Sequence, residues 1–139
     1  MADKHDLNRV FPWPPYYGHF NFFETVMRQH RCVSNVKKVD AHTYELTLST
    51  GGKLRVFICE CYSYGVAEYA ETTAALGSFD AILINSNWCG YTPDAKRICR
   101  GDKVGLFKIR DFMAALNKRD FWSYLTDAEI QSFKEKGWL

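Results

Sequence analysis

Tyr44-Glu-Leu-Thr-Leu-Ser-Thr-Gly-Gly-Lys-Leu-Arg-Val-Phe-Ile-Cys-Glu-Cys-Tyr62 is the stretch that decides the fold. Tyr44, Leu46 and Leu48 alternate with Glu45 and Thr47, the period-two pattern of a half-buried strand. Gly51-Gly52 then predicts a tight hairpin turn, because short hairpin loops need positive φ and glycine adopts it freely. The returning run, Lys53 to Tyr62, is rich in β-branched and aromatic residues and is apolar on both faces at its centre. That composition predicts an interior strand. Its alternation sets Ile58, Glu60 and Tyr62 on one face and Cys59 and Cys61 on the other.

Working outward, Val36 to Val39 reads as a short strand. His19 to Arg31 carries Phe20, Phe23, Val26, Met27 and His30 at helical spacing, with Glu24 beside that stripe. Further upstream, Phe11-Pro-Trp-Pro-Pro-Tyr-Tyr17 is extended and rigid, because its three prolines fix φ and restrict their neighbours. The strip is either a docking surface for a protein partner or a lid on the chain's own core. Downstream, Gly65 ends the central run, and 66–76 predicts a helix with Val66, Tyr69, Ala70, Thr73 and Ala74 toward the sheet. Phe79 to Ile84 predicts a buried strand. Thr92-Pro93 starts a helix with Ala95, Ile98 and Cys99 inward and Gly101 after its end. A strand over 104–109, a helix over 111–118 and the capping box Thr126-x-x-Glu129 follow. The box opens a last helix with Ile130 and Phe133 inward, stopped at Gly137. A hairpin followed by alternating helices and strands implies an α/β fold, a mixed sheet with helices on both faces.

At 139 residues the chain suits one domain, 1–139. Its parts read as an N-terminal extension over 1–18, a core over 19–116 and a helical extension over 117–139. With 47% hydrophobic and 16% aromatic residues it is too apolar to be disordered. The 18 Lys+Arg against 16 Asp+Glu neither demand nor exclude a nucleic-acid partner. No apolar run approaches a membrane span, and the first ten residues do not read as a secretory signal. A cytoplasmic location with reduced thiols is the expectation. Five cysteines, Cys32, Cys59, Cys61, Cys89 and Cys99, cannot pair completely within one chain. His30-x-Cys32 with Cys59-x-Cys61 can be drawn as a four-ligand metal site, but zinc spacing is absent and buried thiols are the plainer reading.

The chemistry centres on Glu60, a carboxylate in an apolar run, costly unless paired or bound to a metal. Glu45, across the hairpin, is the nearest acidic partner by sequence, and two such carboxylates can share a hard divalent cation. Asp40, in the preceding turn, is the rival for the second position, and Glu24 a third acid. The alternative is structural: Glu60 ends its strand near solvent, or pairs with Arg55 or a helix lysine. Lys96, Arg97, Arg100 and Lys103 cluster on and just after one helix, with Lys118 and Arg119 further on. They either grip phosphates of a nucleic acid such as DNA or form a solvated face. Cys89 is either a loop nucleophile or an inert thiol. No phosphate-binding P-loop or dinucleotide fingerprint is present.

Val56-Phe-Ile-Cys-Glu-Cys-Tyr-Ser-Tyr-Gly65, the helix ending Ala-Ala-Leu76, Asp80-Ala-Ile-Leu-Ile-Asn-Ser86, Tyr91-Thr-Pro-Asp-Ala-Lys96 and Val104-Gly-Leu-Phe107 together resemble the restriction-endonuclease-like PD-(D/E)xK superfamily, its Mrr-like branch, over roughly residues 19 to 116. The resemblance implies a three-layer fold with a mixed central sheet flanked by helices. It implies a Mg²⁺-dependent nuclease in which Glu60 and Glu45 hold the metal and a metal-bound water attacks a phosphodiester. Tyr62 stands where the family has its catalytic lysine, so Lys53, Lys37 or Lys38 would have to reach in from another strand. Two rival functions remain: an inactive member that binds nucleic acid or a protein partner, and an unrelated α/β protein that docks through its aromatic N-terminal strip.

Overall fold

The Gly51-Gly52 turn forms as the sequence predicts, with Gly51 at φ +98° and the Leu48 N–H donating to the Gly52 carbonyl at 2.7 Å. The computed structural model describes residues 20–139, and the aromatic strip 11–17 lies outside them. Helix α1 (Asn21–Gln29) leads into β1 (Val33–Lys38), β2 (Thr43–Leu48) and β3 (Lys53–Cys59), paired antiparallel in sequence. Short β4 (Ser63–Tyr64), helix α2 (Val66–Leu76), β5 (Ala81–Ile84), short β6 (Gly90–Tyr91), α3 (Pro93–Gly101), β7 (Gly105–Lys108) and α4 (Ile109–Ala115) follow. A 3₁₀ turn, Phe121–Ser123, and α5 (Asp127–Glu135) complete the chain. The main sheet has the order β1-β2-β3-β5-β7, with β5 and β7 parallel to β3. This is a mixed sheet with β3 interior, as its two apolar faces require.

Helices cover both faces. Phe23 and Met27 of α1 and Phe112 and Ala115 of α4 pack with Tyr44, Leu46, Val56, Ile58 and Leu83 on one side. Ala95 and Cys99 of α3 pack with Phe57, Cys59, Ile82 and Leu106 on the other, with Tyr69 and Leu76 of α2 against them. Cys59 and Cys61 share that second cluster, as strand alternation predicts, and all five cysteines are free thiols. Among the described residues no helix is long and apolar enough to cross a membrane.

Several expectations need correction. The central strand stops at Cys59, so Glu60 lies one residue past it rather than within it. In α2 only Thr72 is buried; Val66, Ala70, Thr73 and Ala74, assigned inward, face solvent. Thr72 takes the inner place because its hydroxyl meets the buried Tyr64 hydroxyl at 2.6 Å. In α3 the inner residues are Ala95, Lys96 and Cys99, while Ile98 is exposed. The short parallel pair β4–β6 was not foreseen.

Candidate functional site

Parallel pairing brings the C-terminal ends of β3, β5 and β7 together: Cys59 lies beside Ile84, and Ile84 beside Lys108. In α/β sheets that edge is where loops gather functional groups. The β1–β2 turn joins it, since the Ile58 N–H donates to the His42 carbonyl at 2.9 Å.

Glu60 is 3% exposed. Its Oε1 accepts a hydrogen bond from Asn85 Nδ2 at 3.1 Å, while Oε2 is buried with no hydrogen-bond partner. The structural alternatives for Glu60 are not what is found, and among the described residues no helix lysine forms an ion pair with it. The residue is not near solvent, and Arg55 is engaged elsewhere, donating to the Ser78 and Leu76 carbonyls at 2.6 and 3.0 Å. An orphaned carboxylate oxygen costs on the order of 1–3 kcal/mol, and more when it is charged. Next after Asn85 in the chain, Ser86 adopts φ 84°, and its Oγ is buried, with the Cys89 thiol as its neighbour. A non-glycine residue in that region carries roughly 1–3 kcal/mol of strain. Lys108 Nζ donates to the Ser86 carbonyl at 2.7 Å and also to the Cys89 carbonyl. Burial lowers the Lys108 pKa. Burial and then the charge of Glu60 push the Cys89 thiol up to about 11, against weaker opposing effects of Lys108 and Ser86. At neutral pH Cys89 is a thiol, not a poised nucleophile.

The other expected site residues lie as follows. Glu45 does not join Glu60. It sits opposite Arg55, five positions before Glu60 on β3 and so about 16 Å along the strand. The alternation of β3 puts it on the other face as well. Its carboxylate pairs with Lys53 at 3.6 Å, which also removes Lys53 from the Glu60 edge. Asp40 lies in the turn at that edge, accepting from the His42 N–H at 3.0 Å. Burial pushes its carboxyl up, but the His42 N–H and the His42 charge outweigh this, and its pKa ends below the ordinary value. Glu24 accepts from the Tyr44 hydroxyl and from Arg28 Nη1 at 3.2 Å, and these bonds hold its pKa down despite burial. Tyr62 is 65% exposed. Lys37 and Lys38 lie on β1, with the Lys38 ammonium 6.0 Å from the Tyr44 ring centre. The lysine that does reach this edge is Lys108. Sequence reasoning missed it, although a lysine closing an apolar strand was the available signal. Among the described residues no three His, Cys, Asp or Glu side chains are arranged to hold a metal ion.

The basic cluster also divides. Lys96 is 1% exposed and faces inward, so it cannot grip a phosphate at the surface. Its Nζ donates to the Leu106 carbonyl at 2.6 Å and lies 3.8 Å from the Phe107 ring centre. Burial pushes its pKa down to about 8, opposed by Glu129 and Asp111. Arg97 lies over the Trp138 ring, Arg100 Nε donates to the Ser123 carbonyl at 2.9 Å, and Lys103 is exposed. The four-ligand drawing does not assemble either: the His30 ring meets the Met113 carbonyl at 2.8 Å, and Cys32 packs on the opposite core from Cys59 and Cys61.

Compared with protein-family models, curated proteins and solved structures, the chain matches none.

Proposed function

We propose that this chain is a nuclease-like protein of the restriction-endonuclease-like kind, acting on the phosphodiesters of a nucleic acid, with its chemistry centred on Glu60. The observation that carries the reading is the buried carboxylate with one oxygen unpartnered at the edge where three parallel strands end. The element order and the mixed sheet, antiparallel through β1, β2 and β3 and parallel from β3 to β7, support it. Magnesium takes oxygen ligands. Glu60 Oε2 is a buried oxygen without a hydrogen-bond partner, Ser86 Oγ is a buried oxygen whose neighbour is only the Cys89 thiol, and Asp40 supplies an acid at the same edge in place of Glu45. Those three residues would hold the ion. A bound Mg²⁺ supplies the ionisation of water and the polarisation of a phosphoryl oxygen.

The chain's own residues prepare that edge. Asn85 fixes the Glu60 carboxylate by its amide, and Lys108 brings the positive charge that Tyr62 lacks. A second reading, an inactive member that binds nucleic acid without cutting it, is favoured by one observation: Lys108 already donates to two backbone carbonyls.

Cleavage of plasmid DNA and of a structured RNA with Mg²⁺ or Mn²⁺ tests the proposal. Cleavage is expected to be lost in Glu60→Gln and Asp40→Asn and kept in Glu45→Gln. Tyr62→Lys should raise it. Salt-dependent binding with no cleavage in either wild type or Tyr62→Lys would establish the second reading.

A further inference from the structure

A cleft of about 480 Å³ lies at the other end of the sheet, between the β2–β3 turn and the segment after α4. Leu48, Leu116 and Cys32 give it an apolar lining, and Arg31, Lys118 and Arg119 stand around it. No carboxylate lines it, and among the described residues no acid forms an ion pair with any of these three cations. Arg31 is held in place, its Nε donating to Asn117 Oδ1 at 3.2 Å. The cleft lies within the size range of small-molecule sites. Three cations facing one cavity repel each other, and an anionic group between them relieves that repulsion. An aliphatic lining rewards an apolar body rather than a bare ion.

We propose that this cleft binds a small amphiphilic anion: an apolar ring or chain seated on Leu48 and Leu116, with one phosphate or similar head group between Arg31, Lys118 and Arg119. A nucleic acid fits less well. Single strands are held by aromatic stacking platforms along a basic groove, and no aromatic side chain lines this cleft. The site stands apart from the Glu60 edge, so it does not depend on the nuclease reading.

Calorimetric titration of the full chain with 1-naphthyl phosphate tests it, with 1-naphthol and inorganic phosphate as the two halves of the probe. The whole probe is expected to bind about ten-fold more tightly than either half. Lys118→Ala and Arg119→Ala, both at exposed positions, should each weaken binding roughly three- to five-fold. Cys32 supplies a reporter within the cleft, because it is half-buried while the other four thiols are buried. Its alkylation by iodoacetamide, followed by mass spectrometry, should slow when the probe is bound. The proposal is overturned by absence of binding at millimolar probe. Binding that the double Lys118→Ala/Arg119→Ala variant retains in full, or that leaves Cys32 alkylation unchanged, overturns it equally. Duplex DNA bound through the same residues, with no binding of the probe, would reassign the cleft to nucleic acid.

Discussion

Glu60 and Lys96 are both buried charged residues, and they differ in how far their surroundings satisfy them. Lys96 has a carbonyl and two aromatic rings, whereas Glu60 has one amide and an empty oxygen. Glu60 was legible because a carboxylate amid Ile, Cys and Tyr is costly wherever it sits. Lys96 was not: a lysine one position off a helix stripe reads as surface, and what buries it is the edge strand β7, whose Leu106 carbonyl it caps. Its titration can be tested by difference. An unfolded lysine keeps its proton to about pH 10.4, while folded Lys96 loses it near 8. Between those values the unfolded chain holds more protons, so Lys96 adds stability as pH rises. Chemical denaturation of wild type and Lys96→Met at pH 7 and pH 9.5 should show the wild type gaining relative to the variant. A gain by the variant would contradict the burial of a charged amine.

At the scale of elements, the hairpin shows how far sequence arithmetic reaches. The Gly51-Gly52 turn fixes which residues face one another, and that register already sets Glu45 opposite Arg55. Chain proximity suggested Glu45 as the partner of Glu60, and the register takes it to the other end of β3. Helix starts were legible for a local reason. Thr92 Oγ1 accepts from the Ala95 N–H at 3.1 Å, and the Thr126–Glu129 box closes with bonds of 3.0 and 3.2 Å. Helix faces were less legible, because α2 has few large apolar residues to fix its rotation. The pair β4–β6 was invisible, since two-residue strands carry no period. One close packing point can be tested directly. A Cβ at Gly105 would lie 2.5 Å from a Phe107 ring atom and 3.0 Å from Phe121, and Phe107 is fully buried. Gly105→Ala should cost about 1–3 kcal/mol in urea denaturation, the usual scale of overpacking. An unchanged midpoint would contradict the packing of the 3₁₀ turn against β7.

For the whole molecule, the thiols set the alkaline limit. Burial raises the pKa of Cys59, pushes Cys61 and Cys99 up to about 12, and pushes Cys89 to about 11. A group whose folded pKa is raised contributes stability that is complete below its unfolded value, near 8.5, and is lost as pH climbs toward the folded value. Four such groups outweigh the opposite trend of Lys96 and Lys108, whose pKa values burial lowers. Net stability should therefore fall steadily above about pH 8.5 in reducing buffer. A melting temperature flat from pH 8 to 10 would contradict the burial of these thiols.

The central claim is that the orphaned oxygen of Glu60 is the anchor of a divalent-ion site. Melting curves of wild type and Glu60→Gln, each with and without millimolar Mn²⁺, test it most directly. The wild type should melt higher with Mn²⁺, and the variant should not respond. Without metal, the variant should be at least as stable as wild type, because no arginine or lysine pairs with Glu60 among the described residues and none is stranded by the change. Equal stabilisation of both proteins by Mn²⁺, or of neither, would contradict the claim.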